Sequence, residues 1–204
     1  MTPSAKPRDI NSVMAGWVDR GPWQYWDRVR GTQGTAMQTN YSVFAVPIGS
    51  VDPITTLQKT KLDTNMQRGN QFPPPRCIVL MQLGFYFSSA MLKADIDNML
   101  DASYIEFRID DKIFFEGPMY LFPAGVGLSG VSSQTAEAVW VNGIPSPNET
   151  RRYGDYSKYI APLQQFSLNI IIPGTPPNLT ATADGGTGLN LLAIMDGLTD
   201  RAVQ

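Results

Sequence analysis

The sequence predicts an all-β fold, an antiparallel sandwich or barrel preceded by an N-terminal arm. Apolar and β-branched runs of roughly four to ten residues recur along most of the chain, separated by turn residues. Glycine and proline are frequent, at 18 and 16 of 204 residues. Only two segments carry a helical period, so many short strands joined by long loops must build the core.

Residues 1–36 differ from the rest and are read as the arm, leaving 37–204 as a single β-sandwich domain. The stretch 16–31 (GWVDRGPWQYWDRVRG) holds Trp17, Trp23 and Trp26, three of the four tryptophans, beside Tyr25, Arg20, Arg28 and Arg30. Proline is tolerated in a first helical turn, so Pro22 can open a short helix over 22–30. Trp23, Trp26 and Arg30 would then fall at i, i+3 and i+7 and share a face. Gly31, Gln33 and Gly34 end it. Such a helix packs on its own domain, or docks on a neighbouring subunit through Trp17, Trp23, Tyr25, Trp26, Arg28 and Arg30. Aromatic and arginine side chains are the types enriched at interface hot spots. Aromatics among arginines also stack on nucleic-acid bases, but Asp19 and Asp27 dilute the positive charge here.

Strand signals begin at 41–48 (YSVFAVPI), which ends at Gly49. Residues 78–87 (IVLMQLGFYF), bounded by three prolines and by Ser88-Ser89, read as a buried strand. In 104–109, Ile105, Phe107 and Ile109 alternate with Glu106 and Arg108, the period of a half-buried strand. Asp110-Asp111 turns the chain, 113–115 returns, and Glu116-Gly117-Pro118 stops it, completing a hairpin. Further strands are expected at 119–122 and at 136–141, the latter closed by Asn142-Gly143. Over 166–172, Phe166, Leu168, Ile170 and Ile172 share a face. Residues 189–195 lead into Asp196-Gly197, a hairpin signal, after which 198–203 would pair back.

A second helix is expected over 89–100, where Leu92, Ile96 and Met99 or Leu100 form an amphipathic stripe. It would cover one end of the sandwich. Irregular connections remain at 49–76, 123–135, 142–165 and 173–188. No internal repeat is visible at a fixed period.

The composition excludes the common catalytic systems. There is no histidine, so histidine-based triads and dyads are absent. The single Cys77 permits neither an intrachain disulfide nor a thiolate zinc site, and it reads as a small buried hydrophobe. Gly125, Gly127 and Gly130 match G-x-G-x-x-G, but no βαβ unit follows to make a dinucleotide site of it. Asp97 and Asp101, at i and i+4, could share a cation. Glu106, Asp110, Asp111 and Glu116 sit where a solvated strand face and a turn place them. A carboxylate hydrolase would need two such acids facing one cleft. No cofactor or metal is therefore expected. The N-terminal stretch lacks the apolar core of a signal peptide, and no run approaches the length of a transmembrane helix. The 16 basic and 18 acidic residues are few for a free-standing monomer and suit a surface covered by partners.

The buried strand after its proline-rich linker (KTKLDTNMQRGNQFPPPRCIVLMQLGFYF), the hairpin YIEFRIDDKIFFEGPMYLFPAG and the terminal IMDGLTDRAVQ together resemble the small jelly-roll capsid proteins of bacterial viruses. The resemblance covers roughly residues 37–204. It implies a single jelly-roll sandwich, loops and arms that contact other copies and other coat proteins, and a place in the virion after synthesis in the host cytoplasm. It implies no catalytic residues. The alternative expectation is a receptor- or carbohydrate-binding sandwich of a spike or fibre. There Trp140, Tyr153, Tyr156 and Tyr159 would form the binding platform.

Overall fold

The computed structural model describes residues 18–88, 91–122, 128–129, 141–142, 151–152, 158–180 and 188–202. In chain order the strands are β1 (Val18–Gly31), β2 (Asn40–Val43), β3 (Ile78–Phe87), β4 (Tyr104–Ile109), β5 (Lys112–Pro118), β6 (Leu128–Ser129), β7 (Val141–Asn142), β8 (Arg151–Arg152), β9 (Lys158–Ile160), β10 (Phe166–Ile171) and β11 (Leu189–Ala202). One helix, α1 (Lys93–Ala102), and a 3-10 turn at Met119–Leu121 complete the described elements.

The strands form two main antiparallel sheets, consistent with an all-β sandwich. The larger has the order β1-β11-β3, with β8 and β9 both paired to β3; the smaller has the order β2-β10-β4-β5. The pairing is nested. β1 pairs with β11, β2 with β10, β3 with β8 and β9, and β4 with β5. Two further ladders, β11–β3 and β10–β4, join these pairs side by side. β6 and β7 make a separate two-stranded ribbon.

Alternation explains most of the strands. In β10, Phe166, Leu168 and Ile170 are buried while Ser167, Asn169 and Ile171 are half-buried. In β4, Ile105, Phe107 and Ile109 are buried and turn inward. Aromatic contacts then cross the core. Tyr25 of β1 lies 4.5 Å from Phe72, which stacks on Phe166 of β10 at 5.1 Å. Phe166 reaches Phe107, Phe107 stacks on Phe115 at 4.8 Å, and Phe115 meets Phe122. Phe122 returns edge-on to Phe85 of β3. The path starts and ends in the larger sheet and passes through the smaller one. Each such pair contributes about 0.5–1.5 kcal/mol beyond its buried area.

Four expectations are corrected. The segment 22–30 is not helical and does not form an arm, because it lies within β1. Tyr25 and Val29 sit in the core and Asp27 is fully buried, while Gln24 is exposed and Trp26, Arg28 and Arg30 are half-buried, a period of two. The ladder to β11 runs the full length of the strand. Second, Asp196-Gly197 is not a turn. β11 passes straight through it, and the register shift there is a bulge in which Asp196 faces Gln82 and Gly197 faces Leu80. Met81 is the extra residue and is 42% exposed. Gly197 suits the position because a Cβ would stand 2.0 Å from the Val79 carbonyl oxygen. Third, 119–122 forms a 3-10 turn rather than a strand, and Phe122 N–H bonds back to Met119 O at 3.0 Å. Fourth, the helix starts at Lys93 rather than at 89, and the first strand of the smaller sheet stops at Val43. Residues 136–140 lie outside the described residues.

Two connections have defined roles. α1 buries Ile96 and Met99, and its Asp95 accepts from the Thr180 N–H and hydroxyl at 2.9 and 2.8 Å. Residues 60–65 run along β1. Arg28 N donates to Asp63 O at 2.7 Å, and Asn65 bonds both Trp26 N and Gln24 O. The edge of β1 from Gln24 to Arg28 is therefore capped by the chain itself, a usual remedy for an exposed strand edge.

Candidate interaction surface

The outer faces of both sheets mix polar and apolar residues. On the smaller sheet, Ser42, Asn169, Glu106 and Glu116 fall in one cross-strand row, with Ser167 and Arg108 in a neighbouring row. Ser42 bonds Asn169 at 3.1 Å, and Arg108 holds Glu106 with two bonds of 2.7 and 2.9 Å. Ile113 and Phe114 are exposed beside them, at 46% and 37%, and Ile171, Tyr104 and Pro118 form an apolar row, so this face is mixed.

The larger sheet carries apolar residues on both faces. Its outer rows read Pro22–Leu198–Val79–Tyr159, then Trp26–Ile194–Gly84, then Arg28–Leu192–Tyr86. Leu198, Met81, Tyr86 and Tyr159 are 36–43% exposed. A row of Gln24, Asp196 and Gln82 crosses this field. Exposed apolar side chains therefore stand on either side of a polar row on this face.

The basic residues at its β1 margin are tied down within the chain. Arg30 Nη2 contacts Asp63 at 2.5 Å, and Arg28 lies 4.0 Å from the same carboxylate. Burial alone would raise the Asp63 pKa, but bonds from the Thr60 N–H and hydroxyl, with the two arginines, bring it below its ordinary value. Behind them Asp27, fully buried, accepts from Lys59 Nζ at 2.7 Å and from Phe44 N at 2.7 Å. Burial pushes the Asp27 carboxyl pKa up, and Lys59 opposes that rise. The same Lys59 donates to Arg28 O at 3.0 Å. Trp26 is held by an indole bond to Lys61 O at 3.2 Å.

Beside Trp26 lies an open groove of about 440 Å³, lined by Pro22, Trp23, Gln24, Trp26 and Asp196. Asp196 stands on β11 opposite the β3 bulge, at the register shift. Burial raises its pKa, against hydrogen bonds from the Gly197 N–H and the Gln24 side chain.

Among the residues predicted for subunit docking, Trp26, Arg28 and Arg30 lie together on this face and Trp23 lines the groove. Tyr25 does not belong with them. It is 2% exposed, buried against Phe72, with its hydroxyl 3.3 Å from Thr199 Oγ1. Trp17 lies outside the described residues, as do Trp140, Tyr153, Tyr156 and Gly125, Gly127 and Gly130. Tyr159 is on β9, with its ring exposed and its hydroxyl beside Cys77. Burial of that end and the nearby Cys77 and Asp200 push its pKa up to about 12. Cys77 is buried, which raises its thiol pKa. Asp97 pairs with Lys93 rather than sharing a site with Asp101, which is exposed. Sequence reasoning missed Asp27, Lys59, Asp63 and Asp196. The described residues contain no group of three metal-ligating side chains, and no helix long and apolar enough to cross a membrane.

No protein-family model, no curated protein and no solved structure matches this chain.

Proposed function

We propose that the chain is a jelly-roll coat subunit of a bacterial virus, acting by assembly with its own copies and other coat proteins rather than by catalysis. The observation that carries the reading is the nested strand order. When β8 and β9 are taken as one position and the β6–β7 ribbon is left aside, eight positions remain. Renumbered, the sheets read 1-8-3-6 and 2-7-4-5. A long antiparallel hairpin rolled into two sheets gives this order, the double Greek key of a jelly roll.

Fold alone does not assign function. The second support is the group of exposed apolar side chains on the larger sheet, Leu198, Met81, Tyr86 and Tyr159, which a subunit would bury against its neighbours. Loss of those contacts to solvent would supply roughly 25 cal/mol per Å² of apolar area, and closed symmetric assemblies repeat that gain at every copy.

Light scattering on concentrated chain, alone and co-expressed with its neighbouring coat proteins, tests the reading. Large particles of uniform size are expected. A chain that stays strictly monomeric in both settings overturns it.

A further inference from the structure

The geometry points to the groove between Trp26 and Asp196 as a socket for a basic side chain on a segment of a second copy of this chain. This rests on the coat-subunit reading, and it adds which surface meets the neighbour and by what chemistry.

Charge complementarity selects the occupant. Asp27, Asp63, Asp97, Glu106 and Asp200 each meet a cation of the same chain. Asp196 makes no ion pair among the side chains described, nor do the buried Asp52 and Asp95; what sets Asp196 apart is its place in an open groove beside Trp26, with Gln24, Gln82 and the Gly197 N–H next to it. Its burial disfavours the charge it would carry, and an arriving cation would reverse that cost. Trp26 lines the groove, and an indole face attracts guanidinium and ammonium groups. The groove is open and about 440 Å³, room for a side chain carried on a peptide segment. The Trp26 ring is positioned in advance by its bond to Lys61 O, so little order is lost on binding. The groove is continuous with the apolar face, since Ile194 is opposite Trp26 and Leu198 is opposite Pro22.

One basic residue of the chain itself shares the register row and serves as the control. Arg152 of β8 lies in the same cross-strand row as Asp196, two strands away through Gln82, about 10 Å at ordinary strand spacing.

The experiment has two arms. In the first, the full chain below its assembly concentration is titrated with an acetylated, amidated Gly-Arg-Gly peptide and with its citrulline counterpart. The Trp26 indole N–H resonance is followed. A shift with the arginine peptide alone, lost in Asp196→Asn and kept in Arg152→Gln, is expected. An equal response to citrulline, a response to a neutral saccharide but not to arginine, or unchanged binding by Asp196→Asn overturns the socket. In the second arm, Asp196→Asn should raise the concentration needed for assembly at least about tenfold, about 1.4 kcal/mol per contact, with an unchanged melting temperature. An unchanged assembly threshold overturns the second copy as occupant. A wild-type chain that binds the arginine peptide but never assembles refutes the coat-subunit reading and leaves the cation socket standing.

Discussion

Replacing Lys59 by methionine keeps the aliphatic stem and removes the ammonium group that faces Asp27. Asp27 has no exposed surface, and its Lys59 partner is only 7% exposed, so the carboxylate left behind has no solvent to replace the lost charge. Breaking such a pair from one side typically costs about 3–5 kcal/mol. In a domain of this size that lowers the melting temperature by about 6–20 °C. Thermal unfolding followed by tryptophan fluorescence measures it. The pH dependence gives a second reading. Burial holds the Asp27 pKa above its ordinary 3.8, and removing Lys59 removes the main opposing influence. A carboxyl raised in the folded state favours folding below its unfolded pKa, and that contribution is lost as pH rises through the folded value. The loss in Lys59→Met should therefore be smallest in acid and grow toward neutrality. Adding Asp27→Asn should restore more than half of it, because the amide can still accept from Phe44 N and face Thr64. A loss below about 1 kcal/mol, or one that does not change with pH, refutes the argument that the buried Asp27 carboxylate depends on Lys59.

Gly197→Ala should lower stability by about 2 kcal/mol or more, since its Cβ meets the Val79 carbonyl in the central ladder; denaturant unfolding with no loss would remove the close approach from the account. Asp63 and Asp200 titrate below the ordinary carboxylate value, Asp200 chiefly through the Arg20 bond, so their contribution is present above pH 3.8 and lost as pH falls through their folded values. Asp63→Asn and Asp200→Asn should each flatten the acid limb of the stability curve, and an unchanged limb contradicts the assignment. Cys77 should resist a thiol reagent at mildly alkaline pH until the chain unfolds, and rapid labelling of the folded protein would show that it is accessible.

The sequence made some elements legible and hid others for identifiable reasons. β3, β4 and β10 carry apolar runs or clean alternation, and their boundaries matched within a residue or so. β1 was hidden because its inward positions include Asp27. A charged residue on the core face breaks the period-two signal, while Trp23, Trp26 and Arg30 happen to repeat at helical spacing. β11 was split because Asp-Gly is a strong turn signal, and no local feature shows that β3 supplies the bulge that keeps the strand straight. The 49–76 connection read as irregular because its order comes from single long-range bonds, Lys59 to Asp27 and Asn65 to Gln24, which have no periodicity. The interaction face was partly legible. Trp26, Arg28 and Arg30 were named, but Tyr25 was named with them, because only the strand register separates inward from outward positions. Asp196 had no signal beyond its place before Gly197.

The claim that the outer face of the larger sheet is the face buried between subunits is tested most directly by hydroxyl-radical footprinting of purified particles against dispersed chain. Met81, Tyr86, Tyr159 and Trp26 should lose reactivity on assembly, while Tyr104 on the smaller sheet keeps it. Unchanged reactivity at those four residues, or protection confined to Tyr104, would contradict it.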